Sequence, residues 1–174
     1  MAEMIERISA GLERAFAARG FASPSVEELR DAAGVSLRTL YKYTPSRADM
    51  VLAALEHRHR RYMGRIFTEL PEAQGGALDT LLARVGGWMA EEATHGCLFH
   101  AAVAADPDSA RLRALLQRHK AEVAERAASA CGLPGREAEL LLLIEGLTQS
   151  WPLHGAQAVA AAQQLGRALF QAPQ

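Results

Sequence analysis

Apolar residues recur along this chain at three- and four-residue intervals almost throughout, and no segment alternates with the period of two that a half-buried strand requires. The pattern predicts an all-α protein. Ile5, Ile8, Leu12, Ala15 and Phe16 form the first stripe, which ends where Gly20 supplies a helix C-cap and Phe21 tucks back. Ser25-Val26-Glu27-Glu28 has the form of a capping box, in which the serine oxygen accepts the N3 amide and the glutamate reaches back to the cap amide. It opens a second helix that runs through Leu29 to Ala33 and stops at Gly34. Val35-Ser36 then leads into a short third helix, Leu37 to Tyr43. Pro45-Ser46-Arg47-Ala48-Asp49 repeats the start signal, and Val51, Ala54, Arg58, Tyr62 and Ile66 follow at helical spacing on a long fourth helix.

Pro71, Gly75 and Gly76 break the pattern, so Leu70 to Gly76 is the expected boundary between a first module, residues 1–67, and a second, residues 68–174. In the second module Leu78 to Glu92 reads as a helix with a weak point at Gly86-Gly87. After Gly96 comes a short apolar segment, Cys97 to Ala105. Asp106-Pro107 reads as a cap with proline at N1, opening a long helix that carries Leu112, Leu115, Leu116, His119 and Val123 on one face and ends before Gly132. The segment from Pro134 to Ser150 is apolar nearly all round between Leu140 and Leu147. Ala156 to Phe170 offers a last stripe of Val159, Ala162, Leu165 and Leu169. Small residues at Gly155, Ala156, Ala160 and Gly166 would let a neighbouring helix approach closely, as in a helix-bundle dimer interface.

Net charge is -1 overall, but it is unevenly spread. Residues 1–67 hold 11 Lys/Arg and 8 Asp/Glu, residues 68–174 hold 8 and 12, so the first module is basic and the second acidic. That asymmetry points the first module toward a polyanion. No stretch reaches the ~20 apolar residues of a membrane span, and the acidic start, Met1 to Ser9, does not resemble a signal peptide, so a cytoplasmic protein is expected. Cys97 and Cys131 have neither CxxC spacing nor enough company for a disulfide framework. The six histidines never fall three or four apart, and His57 and His59 point to opposite sides of a helix, which argues against a metal site. No nucleophile elbow, phosphate loop or metal motif is present, and neither an enzyme nor a cofactor is expected.

The segment Ser25 to Asp49 has the geometry of a helix-turn-helix, in which a supporting helix and a tight turn project a second helix into the DNA major groove. Leu29, Ala32, Val35 and Leu40 fall where the two helices must pack. Leu37, Arg38, Thr39, Tyr41, Lys42 and Tyr43 are left for the outer face. Arg38 and Thr39 suit base edges, arginine pairing bidentately with guanine and threonine bonding or covering a thymine methyl. Lys42, Arg47 and the hydroxyls of Ser25, Ser36, Tyr41 and Tyr43 suit phosphates, which fix register without reading sequence. Arg47 also begins a helix, whose N-terminus favours an anion. The basic run Arg58 to Arg61 reads either as a further DNA-facing stretch or as a solvated helix face.

Gly34-Val35-Ser36-Leu37-Arg38-Thr39-Leu40-Tyr41-Lys42-Tyr43-Thr44-Pro45-Ser46-Arg47 resembles the DNA-binding signature of the TetR family of regulators. The resemblance covers residues 1–67 closely. It extends downstream through the order of helices, the Gly96-Cys97-Leu98 lead into a short helix, and the two apolar helices at the end. It implies an entirely helical protein: a three-helix head with a connecting helix, then a helical domain that dimerises through its last two helices and holds a small ligand. The implied partners are operator DNA, a second copy of the chain and a small apolar or amphipathic effector. Repression released by that effector is the implied outcome, with the fourth helix as the mechanical link. Thr44 departs from the pattern, which has phenylalanine there; either the head is looser for its loss, or Phe21 and Met50 fill the space.

For an effector pocket among the middle helices, the aromatic and polar-tipped candidates are Trp88, Met89, Phe99, His100, His119 and Trp151. His119 lies on the apolar face of its helix and needs a partner, either a ligand or a backbone carbonyl. Two alternatives stand beside this reading. One is a helical DNA-binding regulator with no small-molecule effector. The other is a thiol-based redox or electrophile sensor using Cys97, which lies near a helix start and near His95 and His100.

Overall fold

The computed structural model describes residues 2–71, 74–93 and 96–171. Every regular element among them is a helix: α1 Ala2–Arg19, α2 Val26–Ala33, α3 Leu37–Tyr43, α4 Arg47–Phe67, α5 Gln74–Glu92, α6 Leu98–Ala105, α7 Ala110–Cys131, α8 Glu137–His154 and α9 Ala156–Leu169. No helix among the described residues is long and apolar enough to cross a membrane. The chain divides into two compact units, Met1–Arg61 with Leu98–Leu116, and Tyr62–Cys97 with Gln117–Gln174. His95 and part of the Leu70 to Gly76 segment lie outside the described residues.

The first unit closes on Ile8, Leu12 and Phe16 of α1, Leu29 of α2, Leu40 of α3 and Met50 of α4, all without solvent exposure. Burying a side chain of this size stabilises a fold by roughly 1.5–3 kcal/mol. Gly11 sets how closely α1 and α2 approach, since a Cβ there would lie 2.5 Å from the Ala33 Cα. Phe21 folds back onto Phe16 with ring centroids 5.0 Å apart. Thr44 is buried, and its hydroxyl donates to the Leu40 carbonyl at 2.9 Å. A polar side chain is thus accommodated at this point by a bond within its own helix end.

The basic run on α4 neither faces outward as a whole nor forms a solvated face. Arg58 and His59 are buried, and the nearly inaccessible carboxylate of Glu13 on α1 gathers Arg58 at 3.0 Å, Arg61 at 2.8 Å and the His57 ring. His57 Nε2 also lies 3.1 Å from Glu6, which holds Arg60 at 2.5 Å. These cations are consumed in joining α1 to α4. An ionised carboxylate can be buried at this depth only when it is matched by such donors.

The second unit packs Leu78, Leu81, Leu82 and Val85 of α5 with Val123 and Ala127 of α7 and Leu140, Ile144 and Leu147 of α8. Gly86 is a contact point within a continuous α5, not a weak point: a Cβ there would collide with Val159 and press on Trp151 at 3.3 Å. Gly166 on α9 plays the reciprocal part, with Leu78 in the space its Cβ would need. In the segment before α7, Pro107 sits in a turn and the helix begins later than the Asp106-Pro107 signal predicts. Ser109 supplies the cap oxygen, accepting from the Leu112 amide at 3.4 Å. Residues 106–109 turn through three further positions because Asp106 N still bonds back to the Ala102 carbonyl of α6.

Candidate nucleic-acid interface

Both helices of the helix-turn-helix are defined by side-chain caps. Ser25 accepts from the Glu28 amide at 3.2 Å while Glu28 accepts from the Ser25 amide at 2.8 Å, completing the capping box of α2. Arg19 pairs with the same glutamate. The cap amide and Arg19 hold the Glu28 carboxyl below its ordinary range. Gly34 ends α2 at φ 63°, a left-handed conformation that a side chain would strain. Ser36 then caps α3, accepting from the Thr39 amide at 3.1 Å, with the two hydroxyls 2.9 Å apart. Ser46 and Asp49 repeat the arrangement at α4 through reciprocal 3.1 Å bonds. Arg111 adds a 2.8 Å ion pair to Asp49, and Ser46 and Arg111 together lower the Asp49 carboxyl.

On α3, Leu40 faces the core while Arg38, Tyr41 and Lys42 are exposed and Leu37, Thr39 and Tyr43 are half-buried. Tyr41 is 44% exposed. Lys42 lies over the Tyr43 ring at 5.7 Å. Arg38, Thr39, Tyr41 and Lys42 thus share one short helix held from beneath by Leu29 and Leu40. Arg47 behaves differently: its guanidinium donates to the Phe21 carbonyl at 2.7 Å and lies over the Phe16 ring, so it braces the head from within. Ser25 and Ser36 spend their oxygens on caps. A capping hydroxyl keeps a second lone pair and its own proton, so it can still meet a phosphate.

Residues 8–54 match the family described as bacterial regulatory proteins, tetR family. The head is thus similar over that stretch to the DNA-binding part of TetR-family regulators, and the matched residues span the helix-turn-helix. The fold of the remainder agrees with that of solved TetR-family proteins at low sequence identity. A TetR-family transcriptional regulator from Streptomyces coelicolor is 20% identical with a TM-score of 0.77, covering 97% of this chain and 89% of that one. A TetR transcription regulator from Haloarcula marismortui is 16% identical with a TM-score of 0.78, covering 97% of each chain. Salmonella enterica GusR is 19% identical with a TM-score of 0.71, covering 98% of this chain and 96% of that one. No curated protein sequence matches this chain.

The effector candidates divide between the two units. Phe99 and His100 lie on α6 in the first, Phe99 buried and His100 half-buried. In the second, Trp88, Met89 and His119 are buried and Trp151 is partly so. Of these, Trp88 and His119 are brought together around a residue the sequence reading did not select, Tyr62. Its ring meets Trp88 edge-on at 5.2 Å and His119 at 5.4 Å. Burial, with the charge of Glu145 nearby, pushes the Tyr62 phenol far above its usual range. Lys120, also unselected, donates to Glu145 at 2.6 Å and lies 3.7 Å from the Cys97 sulfur. Its signal in the sequence was faint: it is a single lysine next to His119 on a helix with an otherwise charged outer face.

The outer surface of α8 and α9 forms an open groove of about 420 Å³ lined by Leu142, Leu143, Ala161 and Leu165. Leu142, Leu153 and Leu165 are 72%, 81% and 65% exposed. Among the described residues the exposed large apolar side chains are these three and Tyr41, so they fall only on this face and on the recognition helix.

Proposed function

We propose that this protein is a cytoplasmic homodimeric repressor that leaves its operator when a small apolar or amphipathic molecule binds its helical domain. The observation that carries the reading is the make-up of α3: Arg38 and Lys42 stand exposed on a helix fixed by two caps and two buried leucines, with Thr39 beside them. Arg38 and Thr39 take base edges, while Lys42, Tyr41, Tyr43, Leu37 and the cap hydroxyls of Ser25 and Ser36 lie along the sugar-phosphate wall. Arg47 holds the head in shape and contributes its charge from the second row. Residues 1–67 are the DNA-binding module and residues 68–174 the effector and dimerisation module.

Dimerisation through α8 and α9 is supported by the three exposed leucines, since a large apolar face on a regulator needs a partner and a two-fold copy supplies one of equal size. Two heads then address half-sites about one helical turn or a multiple apart. An effector near Trp88, His119 and Trp151 would alter head spacing through α4, which contributes residues to both units.

The test is reciprocal. A ligand that weakens operator binding by some factor must itself be weakened by operator DNA by the same factor. Equal ligand affinity with and without saturating operator would reject effector control and leave a regulator without an effector. A second reading has one observation in its favour: the partly exposed Cys97 sulfur lies 3.7 Å from the Lys120 ammonium, a setting an electrophile could reach.

A further inference from the structure

The first unit is rich in arginine, yet nearly all of its cations are already engaged. Arg19 pairs with Glu28, Arg30 with Asp31, Arg60 with Glu6 and Arg111 with Asp49, while others are held by Glu13 or by backbone carbonyls. Among the described residues of this unit, three cations have neither a carboxylate nor a carbonyl partner: Arg38, Lys42 and Arg7. The first two are on the recognition helix. Arg7 is on α1, thirty-one residues earlier in sequence than Arg38, exposed, and its one polar contact is the Met4 thioether at 3.3 Å.

Arg7 is not remote from α3. It lines an open depression of about 510 Å³ together with Gly34, Ser36 and Thr39, the turn and first residues of the recognition helix. The other charged groups on this depression are Arg30 and Asp31, and they neutralise each other through bonds of 2.6 and 2.8 Å. Ser36 and Thr39 are neutral, with their hydroxyls 2.9 Å apart at the start of α3. Arg7 is therefore the group on this depression with a net charge to offer. A thioether is a weak acceptor and gives up a guanidinium readily to an anion.

We infer that Arg7 binds a backbone phosphate of the operator, on the strand that borders the major groove where α3 enters, and so acts as a third DNA-contacting cation supplied by α1. The inference rests on the head binding DNA. Arginine suits the task because its planar fork matches two phosphate oxygens at once, and because a contact to phosphate positions the head without reading sequence.

The test is a salt titration of DNA affinity for wild type, Arg7→Ala, Arg7→Lys and Lys42→Ala, on operator and on scrambled duplex of equal length. Arg7 is exposed and alanine is a good helix former, so thermal melting of the variants serves as the folding control. Arg7→Ala is expected to weaken both duplexes by the same factor, with the slope of log affinity against log salt shallower by about 0.9, one phosphate's worth. Arg7→Lys should retain the wild-type slope. Unchanged affinity and slope in Arg7→Ala, with Lys42→Ala impaired, would overturn the inference while leaving the head as the DNA-binding element. A loss confined to the operator would overturn it too, by making Arg7 a base reader. Salt-independent, non-selective behaviour of wild type itself would remove the premise.

Discussion

At the scale of single residues, this protein distinguishes chemically similar groups by where their partners lie. Cys97 and Cys131 show it most simply. Cys131 is buried, and burial pushes its thiol up to about 11, whereas Cys97 is half-exposed with an ammonium at 3.7 Å. Alkylation by iodoacetamide at pH 7.5, followed by peptide mass spectrometry, should therefore modify Cys97 first and leave Cys131 unmodified until the protein unfolds. Modification of Cys131 at the same rate would show that the α7 end opens in the native state. The arginines follow the same logic. Composition marks the first module as basic, but which arginines remain available depends on carboxylates more than forty residues away, as with Glu13 and Arg58. A sequence shows the charge of Arg58 to Arg61 and the helical face, but not that an acid on α1 will engage Arg58 and Arg61. Arg7 is inconspicuous for the converse reason: on an N-terminal helix it has the look of an ordinary solvated charge, and it stands out only against cations that are paired.

At the scale of elements, legibility depends on whether the signal is local. The capping boxes at Ser25 and Ser46 and the glycine at position 34 encode their helix ends within four residues, and the helices begin and end there. The start of α7 is not legible from Asp106-Pro107 because a proline is compatible with two geometries, the first turn of a helix or a preceding turn, and the choice rests on a bond back to α6. Gly86 and Gly166 likewise read as weak points or as small-residue seams until their neighbours Val159 and Leu78 are seen. The caps also carry a pH dependence. Glu28 and Asp49 have carboxyls lowered in the folded protein, so their contribution is present above their ordinary values of 4.5 and 3.8 and is lost as pH falls through the lower folded-state values. Thermal melting across pH 6 to 2.5 should show stability falling in the acid range, with Glu28→Gln giving a flatter profile. An identical profile in that variant would mean the α2 cap contributes nothing measurable.

At the scale of the whole molecule, the amphipathic periods carried the fold class and the order of the nine helices found among the described residues. They did not carry which apolar face remains uncovered. From Leu140 to Leu147 the sequence is apolar nearly all round. Packing then sorts Leu140, Ile144 and Leu147 inward and leaves Leu142 72% exposed. If α8 and α9 pair with a second copy, Leu142→Glu should place charge in that seam and convert the protein to a monomer in sedimentation velocity while its thermal melt at matched concentration shows a folded chain. A dimer that survives Leu142→Glu with Leu165→Glu would move the interface elsewhere. Loss of the dimer should also cost operator affinity, because two heads on one duplex gain from high effective concentration.

The most direct test of the central claim is fluorescence anisotropy with duplex DNA from immediately upstream of the protein's own coding sequence, competed with scrambled DNA at several salt concentrations. Two chains should bind each palindrome saturably and withstand scrambled competitor at physiological salt, and Arg38→Ala should weaken that binding by about 1–3 kcal/mol on the cognate duplex alone. Binding with no preference for that duplex, all of it lost as salt rises, would leave only non-specific phosphate attraction and contradict sequence-directed regulation by this head.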